Sequence, residues 1–245
     1  MKRLDILLVE KKFFTTRSRA RDAIVRRTVK VDGEIVLKAG KMVSDSSEII
    51  VCDPARGYVS RAALKLIYAL DAFPVSTTQM VALDIGASTG GFTEVLLERG
   101  VAHVIAVDVG HNQFDARLSK NSAVTLLEGL NIRDLTQQHL GNREIDLIVS
   151  DVSFISLKLA MPPVLSLINK RAQAVLLVKP QFEVGRGGIG KGGMLKDPLM
   201  AEKMAEELFN WLNTQEGWTA RGFLPSPITG GDGNLEYVLF GEREE

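Results

Sequence analysis

Two hydrophobic rhythms divide this chain. Up to about residue 54 the apolar positions are sparse and set among basic ones. "RLDILLVEKKFF" places Leu4, Leu7, Leu8 and then Phe14 at the spacing of one helix face. "TTRSRARDAIVRR" predicts a second helix, with Thr16 or Ser18 able to cap it and with Arg17 and Arg21 sharing a face. "TVKVDGEIV" alternates about Asp32-Gly33, a pair that tolerates positive φ and marks a tight hairpin, and "SSEIIV" adds a short strand. "CDPARGYVS" then breaks regularity with Pro54 and Gly57 and reads as a linker.

Beyond it the rhythm changes. "MVALDI", "HVIAVDV", "IDLIVSDV" and "AVLLVK" are near-continuous apolar runs, as expected of strands buried on both faces, and "LEYVLF" is a late strand. Helical stretches alternate with them. "YVSRAALKLIYAL" starts at a Ser60 cap and sets Arg61 and Lys65 one turn apart, and "PLMAEKMAEELFNWL" opens on Pro198. The pattern predicts residues 1–54 as a small α+β domain, 55–59 as a linker, and 60–245 as an α/β domain of the Rossmann-like, doubly wound kind.

Charge sharpens the division. Residues 1–57 carry 13 Lys and Arg against 8 Asp and Glu, whereas the remainder carries 17 against 22. A basic end on an acidic body suggests a polyanion-binding module joined to something else. A hydrophobic content of 45% supports a sizeable core, and no apolar run is long enough for a spanning helix. "MKRLDILLVEKKFF" reads poorly as a signal peptide, and the single cysteine, Cys52, fits a reducing compartment, so a cytoplasmic protein is expected. His103, His111 and His139 lack ligand-like spacing, and no metal site is expected.

The chemistry concentrates at strand ends. In "VALDIGASTGGFTEVLLERG" a strand runs to Asp84, a glycine turn follows, and a helix opens near Gly91. Asp108 lies 22 residues past Gly86, where a carboxylate can accept both hydroxyls of an adenosine ribose. The spacing is not G-x-G-x-x-G, and an acidic rim repels a pyrophosphate. S-adenosylmethionine, which has no phosphate and a positive centre, suits that rim better than a dinucleotide does. Asp151 and Lys179 end two further strands and should flank the same crevice, while Glu236 enters the late strand.

"VGRGGIGKGGM" (184–194) fits G-x-x-x-x-G-K, but Gly192 stands where a phosphate loop needs Ser or Thr for Mg²⁺, and the helix waits until about Pro198. A mobile flap beside the strand that ends in Lys179 is the better expectation, with Arg186 and Lys191 offered to the phosphates of a polyanion. Phe154 is expected in the core rather than as a stacking surface, and Cys52 buried or half-buried.

The first segment resembles the S-four-like RNA-binding fold, with Arg26 and Arg27 where small residues are usual. In order behind it, "YVSRAALKL", "LDIGASTGGFT", "VIAVDVG", "SDVSFIS", "LLVKPQFE" and "GNLEYV" resemble the TlyA (hemolysin A) family of FtsJ-like ribosomal RNA 2′-O-methyltransferases. The resemblance implies a catalytic set of Lys65, Asp151, Lys179 and Glu236, in which Lys179 takes the proton of a ribose hydroxyl or stabilises the alkoxide. It implies S-adenosylmethionine contacts from Asp84, Gly86, Ser88, Thr89, Gly90, Gly91, Phe92, Asp108, Asn131 and Asp151. Asn131, where relatives often have Asp, could still accept from an adenine amino group. The partner it implies is ribosomal RNA or a ribosomal subunit, with cytidine as the methylated nucleotide. Lys11, Lys12, Arg17, Arg19, Arg21, Arg26, Arg27 and Arg61 are the expected phosphate contacts, with salt-sensitive binding. The family's older name suggests membrane lysis, but neither long barrel strands nor a membrane-type amphipathic helix is present in the pattern. An RNA-binding protein with an inactive methyltransferase fold is the other alternative, and the intact four-residue set argues against it.

Overall fold

The helix spacing of the first thirty residues is realised in a computed structural model that describes residues 1–168 and 170–244, Arg186 by its backbone alone. The chain divides into two units, Met1–Gly57 and Tyr58–Glu245.

In the first unit, helices Leu4–Glu10 and Arg17–Val25 bury Leu4, Leu7, Leu8, Ala20 and Ile24 together with Val29 and Val31. Thr16 caps the second helix by accepting from the Arg19 amide at 3.3 Å. That helix ends on a paired-carbonyl turn. Arg27 N–H donates to Ile24 and Thr28 N–H to Ala23, with Arg27 at φ 63, a conformation that glycine adopts without penalty. The expected hairpin forms between Val29–Val31 and Glu34–Ile35, with Asp32 at φ 50 and Gly33 at φ 84, and Ile49–Val51 pairs on the other side. Cys52, expected at least half-buried, is exposed.

The second unit is built on a seven-stranded sheet. We label its strands β1 (Val81–Ile85), β2 (His103–Asp108), β3 (Val124–Glu128), β4 (Leu147–Ser150), β5 (Ala172–Val178), β6 (Trp218–Pro225) and β7 (Tyr237–Arg243). Their spatial order is β6-β7-β5-β4-β1-β2-β3. β7 runs antiparallel to both of its neighbours, and the other pairs are parallel. β3 and β6 are absent from the sequence expectation. Both are edge strands, so neither needs a continuous apolar run, and β6 carries a register shift between Ala220 and Gly222.

Side chains alternate across this sheet and sort into two apolar layers. Ala82, Val104 and Val149 pack with helices Ala63–Ala72 and Gly91–Glu98, through Leu66, Val95 and Leu96. Leu83, Ile85, Ile105 and Ile148 face Met161, Val164 and the helix Met200–Leu212. The order of strands reverses between β1 and β4. This is the topological switch point, where an open α/β sheet leaves a crevice beyond its strand ends.

Candidate active site

Four ionisable side chains meet at that crevice. Lys65 comes from helix Ala63–Ala72, Asp151 directly follows β4, Lys179 directly follows β5, and Glu236 directly precedes the reversed strand β7. They form an alternating chain. Glu236 Oε2 lies 2.6 Å from Lys65 Nζ, Lys65 lies 3.8 Å from Asp151 Oδ2, and Asp151 Oδ1 lies 2.6 Å from Lys179 Nζ. Glu236, Lys65 and Lys179 are buried, and the Asp151 side chain is 15% exposed. Two cations and two anions cancel, which is how four charges can share so dry a place. The reversed β7 matters here, because it brings a residue at its start to the same sheet end at which β4 and β5 finish.

Ser153 joins this group without a strong signal in the sequence. Its hydroxyl accepts from Lys179 Nζ at 2.7 Å, so the ammonium is held by two acceptors on the loop after β4. Phe182, in the short helix Pro180–Glu183 that follows Lys179, packs against Phe154 with ring centroids 5.2 Å apart and ties that helix to the loop after β4. So does Glu183, which accepts from Ser156 Oγ at 2.5 Å and from the Leu157 amide at 2.8 Å. Burial pushes the Glu183 carboxyl above its usual range, against those two hydrogen bonds. Phe154 is not a core residue. It is 91% exposed and held at φ 64, a costly conformation for a bulky side chain.

Beside the four charges lies a cleft of about 440 Å³, within the usual range for small-molecule sites. Ile85, Val107, Leu130, Ile132 and Val152 give it an apolar lining, and Asp108 and Asp151 stand within it. Among the described residues lining it there is no Lys or Arg. That donor set fits an adenosyl group with a positive centre and leaves a pyrophosphate without a counter-charge. Asp108 accepts from the backbone amides of Ser88 and Gly110, each at 2.7 Å.

The glycine turn serves the protein's own packing first. A Cβ on Gly86, at φ 80, would lie 2.8 Å from the Asp151 carbonyl oxygen. One on Gly90, at φ 95, would lie 2.6 Å from Leu118, and one on Gly91 2.8 Å from Ser60. Ser88 lines the larger cleft, while Ser88, Thr89, Gly91 and Phe92 border a smaller cavity that also touches Asp151 and Lys179.

Several expectations need correction. Asp84 does not form an acidic rim. Alternation turns it away from Leu83 and Ile85, and it is fully buried with Oδ2 accepting from Thr93 Oγ1 at 2.6 Å. Burial pushes its carboxyl up to about 7. Phe92 is 4% exposed and packs in the apolar layer with Ala63 and Leu66. Asn131 uses its carbonyl oxygen on the Arg133 amide at 3.1 Å and on Arg133 Nε at 3.3 Å, capping a short turn. What it can offer an adenine is therefore its NH₂, to a ring nitrogen, and not an acceptor for the amino group. Arg61 precedes the helix that carries Lys65, and Ser60 Oγ instead accepts from the Ala62 amide, so no shared helix face forms.

On the first unit, Arg26 is not available to phosphates. Its side chain is 13% exposed, donating to Asp22 and, through two nitrogens, to Asp53. Arg17 and Arg21 do share a helix face, and the buried Asp5 organises it, accepting from both at 2.9 Å and from Arg3. Those guanidiniums hold the Asp5 carboxyl well below the usual range, Arg3 foremost. Arg17 and Arg21 stay about half exposed, so they form a fixed basic pair. Lys11, Lys12, Arg19 and Arg27 are exposed or partly so, with Lys11 Nζ donating to Asp45 O and Arg19 donating to Ala55 O.

The glycine-rich segment is folded on itself. Ile189 bridges Leu195, Lys196 N–H donates to Gly188, and the buried Asn234 accepts from Leu195 N–H and donates to the Gly193 carbonyl, both at 3.0 Å. Asn234 stands two residues before Glu236, so this segment is anchored beside the four charges. Lys191 is exposed on it, and the side chain of Arg186 lies outside the described residues.

A sheet of this order, with a dry Lys–Asp–Lys–Glu chain at its switch point, defines a methyltransferase of the Rossmann-like class. Residues 58–243 match the FtsJ-like methyltransferase family and residues 2–49 the S4 domain, and the chain belongs to that family, on its TlyA (hemolysin A) branch. It is 42% identical to the Mycobacterium tuberculosis 16S/23S rRNA (cytidine-2′-O)-methyltransferase TlyA, over 97% of this chain and 88% of that one. Hemolysin A of Brachyspira hyodysenteriae is 37% identical over 96% and 98%. A solved Streptococcus thermophilus structure described as a candidate hemolysin is 36% identical with a TM-score of 0.77, covering 100% of this chain and 89% of that one. No helix among the described residues is long and apolar enough to cross a membrane.

Proposed function

We propose that the protein transfers a methyl group from S-adenosylmethionine to a ribose 2′-hydroxyl, of cytidine, in small- or large-subunit ribosomal RNA in the cytoplasm. The observation that carries the reading is the charge chain beside a cleft with no Lys or Arg among its described lining residues, with Lys179 held by Asp151 and Ser153.

The bound cofactor supplies the electrophilic methyl group. Asp108, the backbone of residues 86–91 and the Asn131 amide would hold it. A ribose hydroxyl is rarely ionised at neutral pH, so the protein's part is to place the oxygen in line, about 3–3.5 Å from the methyl carbon, and to manage its proton. Lys179 in its neutral amine form takes that proton and, as the resulting ammonium, stabilises the oxygen, while Asp151 and Ser153 fix its direction. Lys65, between Glu236 and Asp151, keeps the carboxylates paired and in register. The burial of Lys65, Lys179 and Glu236 limits the access of water to these groups. Phe154, exposed beside Asp151, offers a face on which a splayed-out base can stack. The basic pair on Asp5, with Lys12 and Arg27, supplies phosphate contacts from the S4 domain.

Mapping ribose methylation in ribosomal RNA from cells with and without the gene tests this reading. A cytidine 2′-O-methyl mark that disappears with the gene supports it. Unchanged maps would refute it. Leakage of dye from liposomes is the observable that a lytic protein would produce instead.

A further inference from the structure

The segment between β2 and the short helix Ala116–Ser119 contributes Val109, Gly110 and Gln113 to the lining of the cleft, and a set of bonds fixes it. Glu128, at the end of β3, accepts from three consecutive backbone amides, those of Asn112 at 3.0 Å, Gln113 at 3.2 Å and Phe114 at 3.5 Å. Asn112 takes φ 57 to present them. On the other side Asp115 N–H donates to the Thr89 carbonyl of the glycine turn, and Phe114 lies where a Cβ on Gly90 would come within 3.0 Å of it. The segment is thus pinned to β3 and to the glycine turn.

The residue aimed by this arrangement is Gln113. It lines the cleft with Ser88, Asp108 and Gly110. Its amide nitrogen fills the space beside Gly110, since a Cβ there would lie 2.6 Å from Gln113 Nε2 and 3.1 Å from Asp108 Oδ1. Ser88 Oγ stands 3.5 Å from Gln113 Oε1. A short amide bond already occupies each Asp108 oxygen, so the carboxylate can accept one further proton per oxygen and can donate none. A vicinal diol has two hydroxyl protons to give and two oxygens that need donors. Asp108 satisfies the first requirement only. The Gln113 amide, next to it, satisfies the second.

We propose that Gln113 is a ligand of the cofactor's ribose diol, positioned by Glu128. The inference rests on the cleft being an adenosyl-cofactor site. It assigns a binding role to Gln113 and a positioning role to Glu128.

The test is calorimetric titration of the full-length protein with S-adenosylhomocysteine and with its 2′,3′-dideoxy counterpart. Gln113→Ala should weaken the first by about 3–10-fold, the worth of one net hydrogen bond, and leave the second unchanged. Glu128→Ala should show the same diol-dependent loss, and Glu128→Gln, which keeps an acceptor, should recover part of it. Equal weakening of both ligands by Gln113→Ala, or none of either, overturns the assignment while leaving the cofactor site standing. Absence of S-adenosylhomocysteine binding to the unaltered protein overturns the cofactor reading and this inference together. Gln113 is exposed, so its truncation is not expected to impair folding, and circular dichroism checks this.

Discussion

Lys179 Nζ lies 2.6 Å from Asp151 Oδ1 and 2.7 Å from Ser153 Oγ, so one loop supplies two of the three directions in which the ammonium can donate. In the proposed mechanism, loss of the third N–H proton leaves a lone pair for the ribose hydroxyl. Ser153→Ala removes one guide and not the charge. We expect kcat for RNA methylation to fall about tenfold or more, in line with a hydrogen bond to a charged group, with KM for RNA little changed. Ser153→Thr, which keeps the hydroxyl, should recover most of the rate. An equal loss in both variants would mean that loop shape matters and the hydroxyl does not.

Glu236 and Lys65 are a buried pair at 2.6 Å. Deleting one charge strands the other. Glu236→Ala should cost about 3 kcal/mol or more of stability, measured by urea unfolding, whereas Lys65→Met with Glu236→Leu should cost clearly less. Additive losses in the double variant would show that the two positions act independently.

Asp84 gives the apo protein a pH dependence of definite sign. Its folded value, about 7, lies above the ordinary 3.8, so the folded state binds this proton more tightly than the unfolded state does. The resulting stabilisation is complete below about pH 4 and is lost as pH rises through about 7, a change of about 4 kcal/mol from this group. Asp84→Asn keeps an acceptor for Thr93 and cannot ionise. The stability difference between the variant and the natural protein should therefore grow in favour of the variant between pH 4 and 7. Parallel stability curves over that range would contradict the burial argument.

Phe154 is 91% exposed and touches Phe182 by its ring, so Phe154→Ala should lower stability by no more than about 1 kcal/mol, the worth of one exposed aromatic pair. Loss of a stacking face should lower RNA affinity or turnover by about 1–3 kcal/mol, and Phe154→Trp should retain function. A folding defect with normal RNA turnover would assign the ring to packing.

Much of this is legible in the order of residues because parallel strands are long apolar runs, and the residues ending them stand out. Asp151 and Lys179 are visible that way. The edge strands β3 and β6 escape because partial exposure dilutes the pattern. Asp84 looks like a rim residue because proximity to a turn does not reveal which sheet face a side chain takes. The alternation of Leu83 and Ile85 holds that information. Arg26 resembles its basic neighbours until folding brings Asp53, 27 positions away, against it. Ser153, Gln113, Glu128 and Asn234 are ordinary polar residues in sequence, and only tertiary partners distinguish them.

In the proposed mechanism Lys179 acts on the ribose hydroxyl and not on the cofactor. The direct measurement is transfer of labelled methyl from S-adenosylmethionine to ribosomal RNA by Lys179→Ala, with calorimetric binding of S-adenosylhomocysteine to the same preparation. Turnover should fall about 10²–10⁴-fold, with cofactor affinity within a factor of about two of the natural protein. Undiminished methyl transfer by Lys179→Ala would contradict it.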